Sequence, residues 1–191
     1  MNSRFKSDDI ERLINKHFAS AGPLNISTIS TGKFNTSFFV STEKEDYVVR
    51  IAPPQDAYFV FYEKNMMAQE PELHRLLRER TDVPVPEIFV YDTDHDIFPN
   101  DYLIMQGLPG TPASDAQFLT SLMWDKVLQQ IGDFLRQVHA ITTEQYGYLG
   151  AHQPMQPQDT WHEAFAMMWN KMIRQIMDIE AYSEEEGQFM L

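Results

Sequence analysis

Arg50 is the residue with the clearest chemical demand in this chain. It stands inside the apolar run Tyr47-Val48-Val49-Arg50-Ile51. A guanidinium is a planar, permanently charged fork of donors, and an apolar strand can hold it only against an anion. A phosphate would suit it, and so would a carboxylate. Residues two apart in a strand share a face, so Val48 and Arg50 point one way and Val49 and Ile51 the other. Just upstream, Thr31-Gly32-Lys33-Phe34-Asn35 is a glycine turn whose backbone N–H groups could serve the same anion. It leads into Thr36-Ser37-Phe38-Phe39-Val40, rich in aromatic and β-branched residues. The chemistry on offer is a hairpin lid over a phosphate with a cation on the next strand. The competing reading is a twisted antiparallel sheet whose Arg50 pairs with a carboxylate.

Other candidate sites carry less. Asp92, Asp94 and Asp96 have the spacing of a calcium loop, but Ile97 stands where the sharp-turn glycine belongs and Leu103 where the bidentate glutamate belongs. A solvated hairpin loop is expected there. His17 falls on an apolar helical stripe, which suits a core histidine better than a ligand. The chain has no cysteine, which excludes disulfides, thiolate metal sites and a thiol nucleophile.

The elements that must position Arg50 read as follows. Residues 8–19 predict an amphipathic helix capped by Ser7, with Ile10, Leu13, Ile14, His17 and Phe18 on one stripe. Ser30 to Ile51 predicts strand, glycine turn, strand, charged turn at Glu43-Lys44-Glu45-Asp46, and strand. Leu73, Leu76 and Leu77 predict a helix from Pro71 to Arg80, with a helix or loop before it. Val83-Pro84-Val85-Pro86 is extended, because residues before prolines avoid the α region. Glu87–Tyr91 and Tyr102–Met105 predict two more strands. Gln106-Gly107-Leu108-Pro109-Gly110-Thr111-Pro112 is a dense breaker segment where strands give way to helices, a candidate hinge. Beyond it, Leu128, Ile131, Leu135, Val138 and His139 form one helical stripe, closed by Thr142 to Gly150. Trp161, Phe165, Met168, Met172 and Ile176 form another from Asp159 to Glu180. Such stripes are expected to be core.

Composition bounds the class. The chain has 191 residues and 43% apolar residues, enough for a globular fold with a sizeable core. The formal net charge is −13, and residues 101–191 carry 4 Lys/Arg against 12 Asp/Glu, which speaks against a nucleic-acid partner. The start, MNSRFKSDDIERL, lacks the apolar segment of a signal peptide. No run approaches the roughly 18 apolar residues of a membrane span. A cytoplasmic protein without membrane contact is expected.

The order of elements and the local sequences resemble the aminoglycoside phosphotransferase and choline kinase-like family, from about residue 25 to 175. STGKFNTSFFV is similar to that family's nucleotide-covering loop, YVVRI to its third strand, EPELHRLLRERTDVPVPEIFVYD to its helix and fourth strand, and YLIMQGLPG to its fifth strand and hinge. IGDFLRQVHAITTEQYGYLG resembles the first long helix of the large lobe, with His139 at a packing position, and TWHEAFAMMWNK resembles the helix after it. The fold implied is α+β: a protein-kinase-like small lobe, a five-stranded antiparallel sheet plus helix, in residues 1–106, then a hinge and a partial helical lobe in 107–191. The resemblance implies a nucleotide site formed by Gly32, Lys33, Asn35, Thr36 and Ser37 in the covering loop and Arg50 on the phosphates. Val48 would cover the adenine and Met105 back its pocket, while the Gln106 carbonyl and the Leu108 N–H would meet the adenine edge. Glu70 would pair with Arg50. Pro71 disfavours a helical Glu70, which makes Glu72 the fallback.

ATP or GTP would be the donor, with Mg2+ in the complete enzyme, and a hydroxyl of an aminoglycoside or another small molecule the acceptor. The family's His-x-Asp loop and its metal-binding aspartate have no counterpart here. His95-Asp96 with Asn100 has the wrong spacing and precedes the hinge. The expectation is the nucleotide-binding front portion of a longer kinase-like protein, with no catalytic residue and no metal ligand of its own. Bare apolar helix faces between residues 125 and 180 would then drive self-association or partner binding. The alternative is a non-catalytic pseudokinase-like or interaction module.

Overall fold

Alternating side chains make the two strands around Arg50, and three further strands extend them into one sheet. The strands are β1 (Asn25–Ile29), β2 (Thr36–Ser41), β3 (Asp46–Ile51), β4 (Ile88–Asp92) and β5 (Tyr102–Gln106). Their order is β1-β2-β3-β5-β4, and every pairing is antiparallel. The structure is a computed structural model that describes residues 5–18, 22–30, 32, 34–54, 57 and 59–190. The chain divides into two compact units, residues 1–53 with 74–142, and residues 54–73 with 143–191.

In the first unit, β3 alternates as expected: Tyr47, Val49 and Ile51 are buried, while Val48 and Arg50 are half-buried on the opposite face. The buried face packs on α1 (Ser7–His17) through Ile10, Leu13 and Ile14, all at 0% exposure, with Phe38, Val40, Tyr102 and Ile104 in the same core. Each such side chain contributes roughly 1.5–3 kcal/mol by leaving water. Asp46, expected in the turn, is instead the first residue of β3, and the Ser41 hydroxyl donates to its carboxylate at 2.6 Å. The turn is closed by Thr42, whose hydroxyl accepts the N–H groups of Lys44 and Glu45 at 3.1 Å each.

Two expectations about α1 are corrected. Ser7 is not the cap but the first helical residue. Lys6 is the N-cap, and the Asp9 carboxylate accepts the Lys6 N–H at 3.0 Å, so an acid in the first turn supplies the oxygen. The helix stops at His17, because Phe18 turns extended and its ring packs on Tyr47 at 4.7 Å between centroids.

A polar clamp ties the end of α1 to the sheet. The Lys16 ammonium lies 2.8 Å from Asp92 and 2.9 Å from Asp96, and His17 Nε2 shares a 2.8 Å hydrogen bond with the Tyr102 hydroxyl. Asp92, expected in a solvated loop, is therefore buried at the end of β4, whereas Asp94 and Asp96 are exposed. Hydrogen bonds to Asp92 and then Asp96 hold the Lys16 ammonium well above its usual range. Burial works against the Asp92 carboxylate, but Lys16, the Asp94 N–H and the Tyr102 hydroxyl outweigh it and bring Asp92 below its ordinary range. Burial, helped by the Lys16 charge, pushes His17 down.

Pro71 does not keep Glu70 out of a helix. A 3-10 turn at Met66–Gln69 runs straight into α2 (Glu70–Arg80), and Glu70 sits at φ −60°, ψ −42°. The backbone is already winding when it reaches Glu70, and Pro71 occupies a first-turn position where its missing N–H costs nothing. α3 (Ser121–His139) begins at Thr120, whose hydroxyl accepts the Met123 N–H at 3.3 Å. Its stripe is not core. No residue of α3 is buried, Leu128 is 59% exposed, and His139 is exposed rather than packed.

The second unit carries α4 (Trp161–Asp178) and α5 (Glu184–Met190). Thr160 caps α4: its hydroxyl accepts the Glu163 N–H at 3.2 Å and donates to the Glu163 carboxylate at 2.8 Å. Gln175 on α4 accepts the Phe61 N–H at 2.6 Å and donates to the Phe59 carbonyl at 2.9 Å, and the Lys171 ammonium lies 4.4 Å above the Phe61 ring. The Trp169 indole donates to the Met190 carbonyl at 2.8 Å, which fastens α5 to α4. No member of the α4 stripe is buried: Trp161 is 62% and Phe165 42% exposed, Met168, Met172 and Ile176 are half-buried, and the residues that α4 buries, Ala164 and Ile173, lie off the stripe. The three tryptophans, Trp124 on α3 and Trp161 and Trp169 on α4, all follow residue 120.

Candidate functional site

Strand register decides which predicted side chains meet. In β2 and β3, Ser37 lies opposite Arg50 and Phe39 opposite Val48. Across the next pairing, Arg50 lies opposite Leu103 and Val48 opposite Met105. Directly opposed residues of an antiparallel pair share a face. Ser37, Arg50 and Leu103 therefore form one row, and Phe39, Val48 and Met105 a second, on the face of the sheet away from α1. Val48 and Met105, predicted to cover and to back one flat ring, are cross-strand partners. Leu103 and Met105 are buried, and Val48 and Arg50 are half-buried.

Thr36 is not with them. It lies opposite Ile51, which lies opposite Tyr102, so it belongs to the face that packs on α1. Gly32 and Asn35 sit in the turn before β2. A Cβ on Gly32 would stand 2.9 Å from the Asn35 carbonyl oxygen, so the turn closes that tightly only with glycine. Lys33 lies outside the described residues. Glu70 and Glu72 open α2 and belong to the second compact unit.

Beyond β5 the chain is tied on both flanks. The Gln106 N–H donates to the Glu87 carbonyl at 2.8 Å, and the Gly107 N–H donates to the Asp46 carbonyl at 2.7 Å. The Gln106 side-chain oxygen accepts the Glu87 N–H at 3.4 Å. Arg78 braces Glu87, donating to its carboxylate at 3.1 Å and to the Val85 carbonyl at 3.2 Å. A shallow groove of about 540 Å³ lies between the Arg78–Val85 stretch and Gln106 and Leu108. Leu108 is 42% exposed. In the second unit, a cavity of about 510 Å³ is lined by Tyr146, Tyr148, Trp161, Phe165 and their neighbours, and by none of the predicted site residues.

Among the described residues, no group of three or more histidines and carboxylates could hold a metal ion. His95 and Asn100 are structural: His95 Nε2 shares a 2.6 Å hydrogen bond with Asp101, and the buried Asn100 donates to the Ala52 carbonyl at 3.0 Å. Among the described residues, no helix is long and apolar enough to cross a membrane.

Sequence reasoning passed over Phe39 and Leu103, which share the Arg50 face, and Asp46 and Gly107, which meet at the hinge. Phe39 could have been found from the alternation of β2. Leu103 could not, because its place beside Arg50 depends on β5 rather than β4 pairing with β3.

The model of the phosphotransferase enzyme family matches residues 25–175. No curated protein matches the chain. Among solved structures, a protein assigned as fructosamine-3-kinase from Haemophilus somnus 129PT is 16% identical with a TM-score of 0.58, covering 90% of this chain and 54% of its own. A thermostable mutant of aminoglycoside phosphotransferase APH(4)-Ia, in ternary complex with AMP-PNP and hygromycin B, is also 16% identical at 0.58, over 94% and 55%. The GDP and kanamycin complex of APH(2")-IIia is 16% identical at 0.54, over 70% and 42%. The chain thus spans about half the length of these structures. At such identities the likeness concerns fold, and the fold is the kinase-like α+β arrangement expected from the sequence, with the five-stranded antiparallel sheet of the small lobe.

Proposed function

Because the chain belongs to the phosphotransferase enzyme family, we propose that its sheet is the nucleotide-holding part of an ATP- or GTP-dependent phosphotransferase acting on a small-molecule hydroxyl. The observation that carries this reading is the row of cross-strand partners Val48 and Met105 beside the row of Ser37 and Arg50. An apolar slot for a purine thus adjoins a hydroxyl and a guanidinium for its phosphates. Gly32, Lys33 and Asn35 belong to the covering loop, and Ser37 follows it on the Arg50 face. Arg50 takes the phosphates through charge-assisted hydrogen bonds. The Gln106 carbonyl and the Leu108 N–H meet the base edge. The small lobe occupies residues 1–106, and the hinge with the first helices of the large lobe follows.

Magnesium would neutralise charge on the phosphates in the whole protein, and no step is assigned to it in this chain. Neither an acceptor base nor an acceptor pocket is assigned. Positioning and charge stabilisation make up nearly all of phosphoryl transfer, so the reading predicts nucleotide binding without measurable transfer by this chain alone. Relatives in complex with AMP-PNP and with GDP support a nucleotide, and those with hygromycin B and kanamycin support an acceptor of aminoglycoside type. The protein would work in the cytoplasm.

The test is calorimetric titration with Mg-ATP, Mg-GTP and adenosine, with Arg50→Ala alongside. Saturable triphosphate binding is expected, weakened about tenfold or more in Arg50→Ala with adenosine unaffected, the loss of one charge-assisted contact. A folded chain that binds no nucleotide, or equal losses for ATP and adenosine, would overturn the reading.

The exposed apolar faces favour a second reading, a non-catalytic interaction module. Leu128, Ile131 and Leu135 on α3 and Trp161 and Phe165 on α4 are all at least 42% exposed. Sedimentation at increasing concentration tests it: self-association that Leu128→Ser with Leu135→Ser abolishes would support it, and a monomer at all concentrations would refute it.

A further inference from the structure

Gly107 needs no left-handed backbone, since it is not among the glycines with positive φ. It is glycine for want of space. A Cβ there would stand 2.7 Å from the Asp46 Cβ, 2.9 Å from its carbonyl carbon and 3.0 Å from its carbonyl oxygen. Real Cβ contacts do not come that close, and two of the three atoms are backbone, which no rotamer change can move. The approach is also a bond: the Gly107 N–H donates to the Asp46 carbonyl at 2.7 Å. Asp46 is fixed in turn by the Ser41 hydroxyl at 2.6 Å. On the other flank, the Gln106 N–H is held by the Glu87 carbonyl at 2.8 Å, and Arg78 anchors Glu87. The hinge peptide is thus strapped from the start of β3 and from the approach to β4 at once.

We infer that Gly107 and Asp46 are positioning residues for base recognition: their close contact sets where the Gln106 carbonyl and the Leu108 N–H are presented, and so sets the preference for a purine. The inference rests on the nucleotide reading above. A hydrogen bond weakens steeply as its angle departs from linear, so two groups that must meet one base edge together need a backbone fixed within a fraction of an ångström. An added methyl at residue 107 must lift the hinge off the start of β3 and spoil both contacts, while Arg50, at the far end of that strand, and the covering loop before β2 keep the phosphates.

The experiment measures dissociation constants for Mg-ATP and Mg-UTP with the wild-type chain, Gly107→Ala and Arg50→Ala, each checked for folding by circular dichroism. The wild type is expected to prefer ATP. Gly107→Ala is expected to cut that preference about tenfold, the worth of one net hydrogen bond, with UTP affinity within about twofold of wild type. Arg50→Ala is expected to weaken both nucleotides in parallel and leave the preference intact. A purely structural defect would lower both affinities together, so an unchanged ratio in Gly107→Ala overturns the inference, as does a wild type that binds both nucleotides equally. A folded wild type that binds neither overturns the nucleotide reading and this inference with it. Should Gly107→Ala fail to fold, Asp46→Gly is read by the same ratio, since it loosens the strap without adding an atom. A lowered preference there supports the inference and an unchanged one overturns it.

Discussion

Ile104 and Leu128 are aliphatic residues of one size, each on a regular element and each on the apolar side of its periodic pattern. Ile104, on the inner strand β5, is completely buried, while Leu128 on α3 is 59% exposed. The difference lies in what covers them. The sheet's inner face is closed within the chain by α1, whose Ile10, Leu13 and Ile14 fit the same core. The stripe of α3 has no such cover among the described residues. Periodicity tells which side of an element is apolar, and only a partner element makes that side interior.

Substitutions on the two elements put this contrast at risk. Ile104→Ala is expected to cost about 2–5 kcal/mol, because it removes buried methyl groups and leaves a cavity. Leu128→Ser is expected to stay within about 0.5 kcal/mol, as for an exposed position. Urea unfolding followed by circular dichroism compares them directly, and a large cost at Leu128 would show that the α3 face is covered in solution.

The polar clamp sharpens the contrast through its pH dependence. His17 titrates in the folded chain below its ordinary value of 6.5, so as pH falls through 6.5 the unfolded chain takes up a proton that the folded one refuses, and stability drops. Asp92 is also depressed, so its contribution is present above the ordinary carboxylate value of 3.8 and is lost as pH falls through the folded value. The melting temperature should therefore decline on the acid side in two stages, near 6.5 and again below 3.8. Lys16→Met leaves burial to act on Asp92 with far less opposition. Its folded value then moves up, and its contribution is lost as pH rises instead. A melting-temperature profile of Lys16→Met that parallels the wild type would show that the clamp does not operate.

A local effect belongs to the second unit. A Cβ on Gly187 of α5 would collide with the Met177 side chain. Met177 is flexible and can give way, so Gly187→Ala should cost about 1 kcal/mol, at the low end for overpacking. It should loosen α5 without touching the sheet. Limited proteolysis should then cut between residues 180 and 190 faster than in wild type, while the strands stay resistant.

What the sequence disclosed follows the range of the interactions concerned. The hairpin around Arg50 was legible because strand alternation and turn chemistry are local, and Val48 and Arg50 fall on the face that their spacing assigns. The breaker segment after β5 was legible for the same reason. Glu70 was misread because the rule for residues before proline is also local, and it yields to the 3-10 turn already winding behind it. The clamp was beyond reach: Lys16 meets Asp92 across 76 positions, and nothing in either neighbourhood names the other. The Gly107–Asp46 contact was hidden likewise, since it needs β3 beside β5.

The placement of the three tryptophans has an optical consequence. All of them lie on α3 and α4, whereas the sheet's ring chromophores Tyr47, Tyr91 and Tyr102 are tyrosines. Selective tryptophan excitation therefore follows the helices alone, and Trp169, whose indole bonds to the Met190 carbonyl, watches the docking of α5. Within the sheet, burial first and Glu45 second push the Tyr47 hydroxyl up to about 12. The unmodified chain thus carries an intrinsic reporter for its helices that leaves its strands dark.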